Sequence, residues 1–294
     1  MVEKGKGFQI FAHLILIVIV ICCLAPFVLL LMSSFTEEES LLINGYSFFP
    51  KQFSTYAYKY LLSDSAAMLR AYGISAIVTV AGTFCNLLIT TLYAYPLSRK
   101  DLPGRNFFAF FLFFTMLFNG GLVPSYIMWT RTFHIQNTIF ALLIPNLLLS
   151  AFNVIMMRTY FTTNIPDAVI EAARIDGANE FKILYGIVLP MALPILATIG
   201  LLVGLGYWND WTNGLYYIND DKLYSVQVLL TNIQRNMDAL KKTAASGGSI
   251  SSASIPSTSV RMALTALGVF PVMVVYAFLQ KYFVKGIAIG AVKG

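Results

Sequence analysis

Trp208, Asn209, Trp211 and Asn213 stand close together in the run YWNDWTNGLYYI, which begins at Tyr207. Flat apolar rings beside amide donors and acceptors suit stacking on sugars and hydrogen bonding to them. Tryptophan and tyrosine also gather at membrane interfaces in general, so this pattern alone leaves both readings open. A second constellation is plainer in chemistry and sharper in spacing: Glu171, Ala172 and Ala173, then Asp176 and Gly177, then Ile187, Val188, Leu189 and Pro190. Around its start Ala168, Glu171, Ala172 and Ile175 recur at three- and four-residue spacing, a narrow face of small and apolar side chains that permits close docking. Covalent chemistry has little to work with. The chain has only two histidines, His13 and His134, and no nucleophile–base pair or ligand cluster forms around either, which discounts a membrane enzyme. His13, near the start of an apolar run, reads as interfacial. Cys22, Cys23 and Cys85 all sit inside apolar runs, which argues against a disulfide framework or a zinc site.

The elements that position these residues follow from composition. The chain of 294 residues is 57% hydrophobic and 12% charged, with a mean hydropathy of +0.71. A soluble fold of this size needs a charged surface, whereas here the charges gather in short segments between long apolar runs, so the solvent is a bilayer. The net charge of +6 and pI near 9.1 come without a stripe of Lys and Arg interleaved with aromatics, which excludes a nucleic-acid groove.

A helix needs about 20 apolar residues to cross a hydrocarbon core about 30 Å thick. Six segments qualify: residues 10–32, 72–97, 107–129, 138–157, 183–207 and 261–283. The first follows Lys4 and Lys6 as a secretory signal would, but it runs past Pro26 to Met32 without a small-residue cleavage pattern and reads as an uncleaved span. Placing both termini in the cytoplasm puts 11 of the 20 Lys and Arg residues inside, on the shorter set of connections. Gly200 and Gly204 form a small-xxx-small pair that favours close helix packing. No acidic or basic residue sits at the middle of a span, so the signature of an ion-coupled carrier or voltage sensor is missing.

The segment from Asn164 to Pro190, NIPDAVIEAARIDGANEFKILYGIVLP, is too polar to span. Pro166 suits a first helical turn, Asn164 can cap it, and Asp167 and Glu171 favour its positive end, predicting a surface helix from Pro166 to Asp176. Ala168, Glu171, Ala172 and Ile175 share one narrow face of that helix. Gly177 breaks it, and a second short helix leads back to the membrane before Pro190. The residues by themselves also fit a plain interfacial linker.

Glu171-Ala172-Ala173, three residues, Gly177, nine residues, then Ile187-Val188-Leu189-Pro190 resembles the EAA-loop signature of binding-protein-dependent ABC importers at every defined position. The resemblance covers essentially the whole chain. It is nearest to the carbohydrate-importer permeases, in particular the maltose-type second permease subunit and its lipopolysaccharide- and alginate-importer relatives. The tail from Lys285, KGIAIGAVKG, with Gly290 and Lys293, is similar to the glycine-rich tail that reaches the ATPase interface in that subunit. The run from Tyr207 looks like the outer end of the fifth span and the loop facing the binding protein.

What the resemblance implies is an all-α membrane protein, a type I importer permease of six transmembrane helices, with both termini cytoplasmic. The chain would be one transmembrane domain, with a cytoplasmic EAA loop at 164–190 and an extracytoplasmic loop at 209–259. It would form half of a translocation pathway. A coupling helix would sit in a cleft of the ATPase, with Glu171 paired to a basic residue there and Gly177 permitting the bend. Ala172, Ala173, Asp176, Ile187, Leu189 and Pro190 would complete the coupling segment. No G-x-x-x-x-G-K-[ST] loop occurs, so ATP and its magnesium would bind elsewhere. The implied partners are two ATPase subunits, a second permease and an extracytoplasmic solute-binding protein, with membrane lipid around them. The Ser/Ala/Gly-rich stretch 244–258 in the outer loop is expected to be flexible. Peptide and amino-acid importers carry EAA-type loops as well; only the tail and the YWNDW run lean toward a sugar. An ATP-independent carrier or channel is the other reading, against which the EAA segment and the uncharged spans argue.

Overall fold

The computed structural model describes residues 6–63, 65–245 and 258–291. In chain order the α-helices are α1 (Lys6–Ser34), α2 (Glu38–Asn44), α3 (Tyr56–Leu61), α4 (Ser65–Ser98), α5 (Arg105–Leu117), α6 (Leu122–Ile127), α7 (Phe140–Leu143), α8 (Ala151–Asn164), α9 (Asp167–Ile175), α10 (Glu180–Ile183), α11 (Leu189–Met191), α12 (Leu193–Trp208), α13 (Thr212–Tyr217), α14 (Val226–Ala245) and α15 (Thr258–Ala291). Most of the Ser/Ala/Gly-rich stretch, and Lys293 in the tail, lie outside the described residues, whereas Gly290 falls within α15.

Among the described residues, three helical segments are long and apolar enough to cross a membrane as single rods: Gly7–Ser34, Ser65–Ser98 and Thr258–Ala277. The most apolar window of the first has a mean hydropathy of 3.4, and none of it is buried against the rest of this chain. The other three expected spans are not single rods. The third is a bent pair, Arg105–Leu117 with Leu122–Thr132 at 111°, broken where Asn119, Gly120 and Gly121 interrupt the apolar run. The fifth is Glu180–Met191 with Leu193–Trp208 at 82°, broken at Ala192 between Pro190 and Pro194, neither of which has an N–H for a helical bond.

The fourth, expected as one helix over 138–157, is α7 and α8 separated by a non-helical segment in which Asn146 adopts a positive φ of 63° after Pro145. Such a break leaves carbonyls without helical donors, which hydrocarbon does not tolerate. Three side chains meet them. Tyr207 Oη donates to the Leu143 carbonyl at 2.8 Å, Asn213 Nδ2 to that of Pro145 at 3.0 Å, and Asn86 Nδ2 to that of Leu147 at 2.7 Å. Asn86 is fully buried, and its own oxygen accepts from Thr90 Oγ1 at 3.2 Å. Gly200 and Gly204 pack closely on α4: a Cβ on either would lie 3.4 Å from Leu87 Cδ1 or Thr83 Oγ1, respectively.

The described chain forms two compact units, Met1–Met68 with Leu230–Pro271, and Leu69–Leu229 with Val272–Gly294. In the first, Phe35 stacks on Tyr58 with ring centroids 4.8 Å apart, and Arg261 of α15 pairs with Asp238 of α14. Glu38, at the start of α2, caps α15: its carboxylate accepts from the backbone N–H groups of Thr258 and Ser259, each at 2.8 Å, and from Ser259 Oγ at 2.7 Å. Burial alone would raise this carboxyl, but the Ser259 and Thr258 donors outweigh it and hold it below the ordinary 4.5. Because the folded value is the lower one, the cap's contribution is fully present above about pH 4.5 and is lost as pH falls through the depressed value. Glu38→Gln is expected to cost about 1 kcal/mol at pH 7, as lost caps do, read as a lower unfolding temperature in detergent. The gap to the unsubstituted chain should close below pH 4.5. A gap that stays constant with pH would rule out the carboxylate cap.

Candidate functional site

α9 begins after Pro166, whose extended backbone serves as N-cap. The expected cap, Asn164, instead ends α8, its amide donating to the Tyr160 carbonyl at 3.3 Å. The reason is spacing: with Pro166 outside the helix, Asn164 is too far upstream to reach the first free N–H groups. Ile170 and Ala173 are buried at 1% and 8% exposure, which fixes the inward face. Ala168, Glu171, Ala172 and Ile175 lie on the exposed side, and Ile175 is 86% exposed, a large apolar side chain with almost no protein against it.

Gly177 sits at a φ of 76°. Its N–H donates to the Arg174 carbonyl and that of Ala178 to the Ala173 carbonyl, both at 3.0 Å, the paired bonds of a Schellman stop. Asn179 then caps α10, accepting from the Lys182 N–H at 2.8 Å. The helix–turn–helix expected from the sequence therefore forms. Ile187 is half-buried against the hydrophobic core beside fully buried Val188, and Leu189 packs against it too, while Pro190 is exposed at the start of α11. These residues root the segment, and the α9 side of it is the side left open.

A charged cluster ties α9 to its neighbours. Arg174 Nε and Nη2 reach Glu180 Oε1 at 2.9 and 2.8 Å, and its Nη1 reaches Asp101 Oδ2 at 2.9 Å. Glu180 Oε2 accepts from Tyr95 Oη of α4 at 2.5 Å. Asp167 meets Lys100 Nζ at 3.0 Å and Arg99 at 3.8 Å, and Arg99 lies 5.6 Å from the Tyr95 ring centroid. The Lys100 hydrogen bond holds the Asp167 carboxyl below its usual range. Asp101 is held low by its own backbone N–H and by Arg174, and Arg174 is raised by Glu180 and Asp101. Exposed pairs of this kind add little to stability; what they fix is orientation. Beside them lies a cavity of about 370 Å³ lined by Tyr95, Pro96, Leu102, Arg174, Phe181 and Leu184, among others.

The sequence singled out Asp176 but not Arg174, Glu180, Asp101 or Tyr95. Opposite charges at 174 and 180, on either side of a helix-breaking glycine, were a readable signal for one pair. Tyr95 and Asp101 are 85 and 73 residues from their partners and gave none.

The YWNDW run divides. Trp211 is 44% exposed; Trp208 is half-buried with its ring centroid 6.3 Å from that of Tyr72; Asn209 donates to the Leu205 carbonyl of its own helix at 2.9 Å. Asn213, expected in a solute path, is instead buried at 3% exposure, its amide committed to Pro145 in the broken fourth span. Asp210 accepts from the N–H groups of Thr212 and Asn213 at 3.1 and 3.2 Å, and burial pushes its carboxyl up.

A rooted, polar helix–turn–helix between long apolar helices defines a helical membrane protein with an exposed polar segment. Residues 104–289 match the family of binding-protein-dependent transport system inner membrane components, and the chain belongs to that family. Among its relatives, Protein LplC of Bacillus subtilis (strain 168) is 36% identical over 246 residues, covering 84% of this chain and 81% of that protein. The polygalacturonan/rhamnogalacturonan transport system permease protein YtcP of the same organism is 36% identical over 256 residues, covering 87% of each. A chain of a bacterial ABC transporter involved in import of the acidic polysaccharide alginate superposes with a TM-score of 0.78 at 29% identity, over 96% of this chain and 99% of that one. The protein is thus a permease subunit of an ABC importer, an all-α inner membrane component, and not an enzyme.

Proposed function

We propose that this chain is one transmembrane permease domain that passes an oligosaccharide or modified sugar inward, with α9 docked on a separate ATPase. The observation that carries the docking is the open face of α9, where Ile175 stands 86% exposed within the EAA signature. An apolar side chain in that position is stable against a partner's cleft and costly in water. Glu171, Ala172, Ala173, Asp176 and Gly177, with Ile187, Leu189 and Pro190 as the root, form the coupling segment; Gly290 and Lys293 belong to a tail directed at the same ATPase. ATP and magnesium bind on that ATPase, of which the assembly holds two copies. A second permease and an extracytoplasmic binding protein complete the importer, and both termini of this chain face the cytoplasm, as the Lys/Arg distribution favours. The sugar cargo draws its support from the polysaccharide named for YtcP and for the alginate importer, and from the exposed Trp211 beside Trp208.

The test is to tag the chain, extract it gently from its native membrane and identify what co-purifies, for the unsubstituted chain and for Ile175→Asp. The expected result is an ATPase, a second permease and a solute-binding protein with the first, and at least a tenfold loss of the ATPase with the second, the size of effect a buried charge at an interface centre produces, about 1.4 kcal/mol or more. Binding of polysaccharide fragments by the recovered binding protein tests the cargo. An unsubstituted chain that purifies alone and moves solute without ATP would overturn the proposal in favour of a carrier.

A further inference from the structure

We infer that Arg174 is a positioning residue for coupling, locking α9 to α10 and to the cytoplasmic end of α4 so that the three move as one lever; this rests on α9 being the ATPase contact. The carboxylates it joins come from both sides of the α9 segment. Glu180 opens α10, on the far side of the Gly177 turn, and Asp101 lies in the link that follows α4. One guanidinium donates to Glu180 Oε1 at 2.9 Å, with its Nη2 in ion-pair contact with the same oxygen at 2.8 Å, and donates to Asp101 Oδ2 at 2.9 Å. Glu180 passes the connection on to Tyr95 of α4, 2.5 Å away. The planar fork of arginine fixes direction as well as distance, which a lysine cannot do.

The turn needs such a brace because its backbone is a hinge by construction. α9 ends at Ile175, α10 starts at Glu180, and the four residues between include a glycine at positive φ. Ile170 and Ala173 seat the inner face of α9 and Asp167 pairs near its start, but its C-terminal end, next to the turn, has Arg174 to keep it from swivelling and dissipating the pull of an ATPase. The outward face of α9 and the brace are separate sets of side chains: the Arg174 guanidinium is committed to Glu180 and Asp101, whereas Ala168, Ala172 and Ile175 stand exposed. Removing the brace should therefore spare docking and lose transmission.

The experiment uses the whole importer in nanodiscs, with Cys22, Cys23 and Cys85 replaced by alanine and spin labels at Val169 on α9 and Val80 on α4. Distances are measured without nucleotide and with ATP-vanadate and magnesium as the probe. In the otherwise unsubstituted importer the main Val169–Val80 distance should stay the same in both states. In Arg174→Ala it should broaden and shift with nucleotide, although the ATPase still co-purifies and hydrolyses ATP. Arg174→Lys, which keeps the charge without the fork, should fall between the two, and Tyr95→Phe should reproduce a milder version. A distance that already changes in the unsubstituted importer, or one that ignores Arg174→Ala, overturns the brace. Loss of the ATPase in Arg174→Ala also overturns it, by making Arg174 part of the docking face. Failure of the coupling reading itself shows separately, as ATPase retention in Ile175→Asp.

Discussion

Gly177→Pro is expected to abolish uptake of the solute that the co-purified binding protein takes, while the chain still inserts and accumulates in the membrane at its usual level. Proline holds φ near −65°, whereas this residue sits at 76°, so the Schellman stop cannot form around it. The substitution also deletes the N–H that donates to the Arg174 carbonyl at 3.0 Å. Each fault is local, together costing about 3 kcal/mol or more, and both fall in the polar turn outside the apolar spans, which is why insertion should survive. What fails is the direction in which α9 leaves the turn, and with it the link between hydrolysis and transport. Gly177→Ala supplies the scale. No atom lies within 4 Å of where its Cβ would go, so alanine pays only the left-handed backbone cost of about 1–2 kcal/mol and should retain partial uptake. Paired measurements of hydrolysis and uptake in proteoliposomes decide the matter; full uptake by the proline variant would remove this turn from the mechanism.

Gly82→Ala should be the more damaging change to the fold, although it adds one methyl group. The Cβ would lie 2.4–2.6 Å from Cζ, Cε1 and Cε2 of Tyr207, a ring that is 3% exposed, so the ring must shift. Moving the ring breaks its bond to the Leu143 carbonyl and strips one of the three donors that make the interrupted fourth span tolerable in lipid. Overpacking of this sort costs about 1–3 kcal/mol, and the lost hydrogen bond adds about 0.6 kcal/mol in a membrane setting. The yield of monodisperse protein after detergent extraction should drop severalfold, with a lower unfolding temperature. Tyr207→Phe, which loses only the hydroxyl, should be mild. Gly82→Ala combined with Tyr207→Leu should be more stable than Gly82→Ala alone, because the shorter side chain vacates the contested space. If the double variant is no better, the ring is not the cause.

Both expectations depend on features that differ in how far the sequence disclosed them. The α9 turn was legible because its determinants are local: a helix-breaking glycine, a polar run between apolar ones, and small residues at helical spacing. The identity of the wider family followed from the same stretch. The close packing of Gly200 and Gly204 on α4 was likewise visible as a spacing, although only the structure supplies Thr83 and Leu87 as the surface they meet. Gly82 carried no such signal, since what makes it necessary is a ring 125 positions away in the chain.

Composition and periodicity by themselves determined that this protein lives in a bilayer, that it is helical, and where its polar loop leaves the apolar runs. They did so because hydrocarbon demands about 20 apolar residues per crossing and internally paired backbone, constraints each segment must satisfy alone. Only the tertiary structure decided which crossings are continuous. A window of apolar residues reads the same whether its helix runs through or breaks at Pro145, and the break is allowed only because Asn86, Tyr207 and Asn213 arrive from elsewhere to take its carbonyls. The same holds for Asn213, legible as a polar residue near the outer end of a span but committed by packing to structure, and for Arg174, whose partners on α10 and beyond α4 are brought to it by the fold. Local rules fix what a segment can be; the donors and acceptors that reach it from distant segments fix what it becomes.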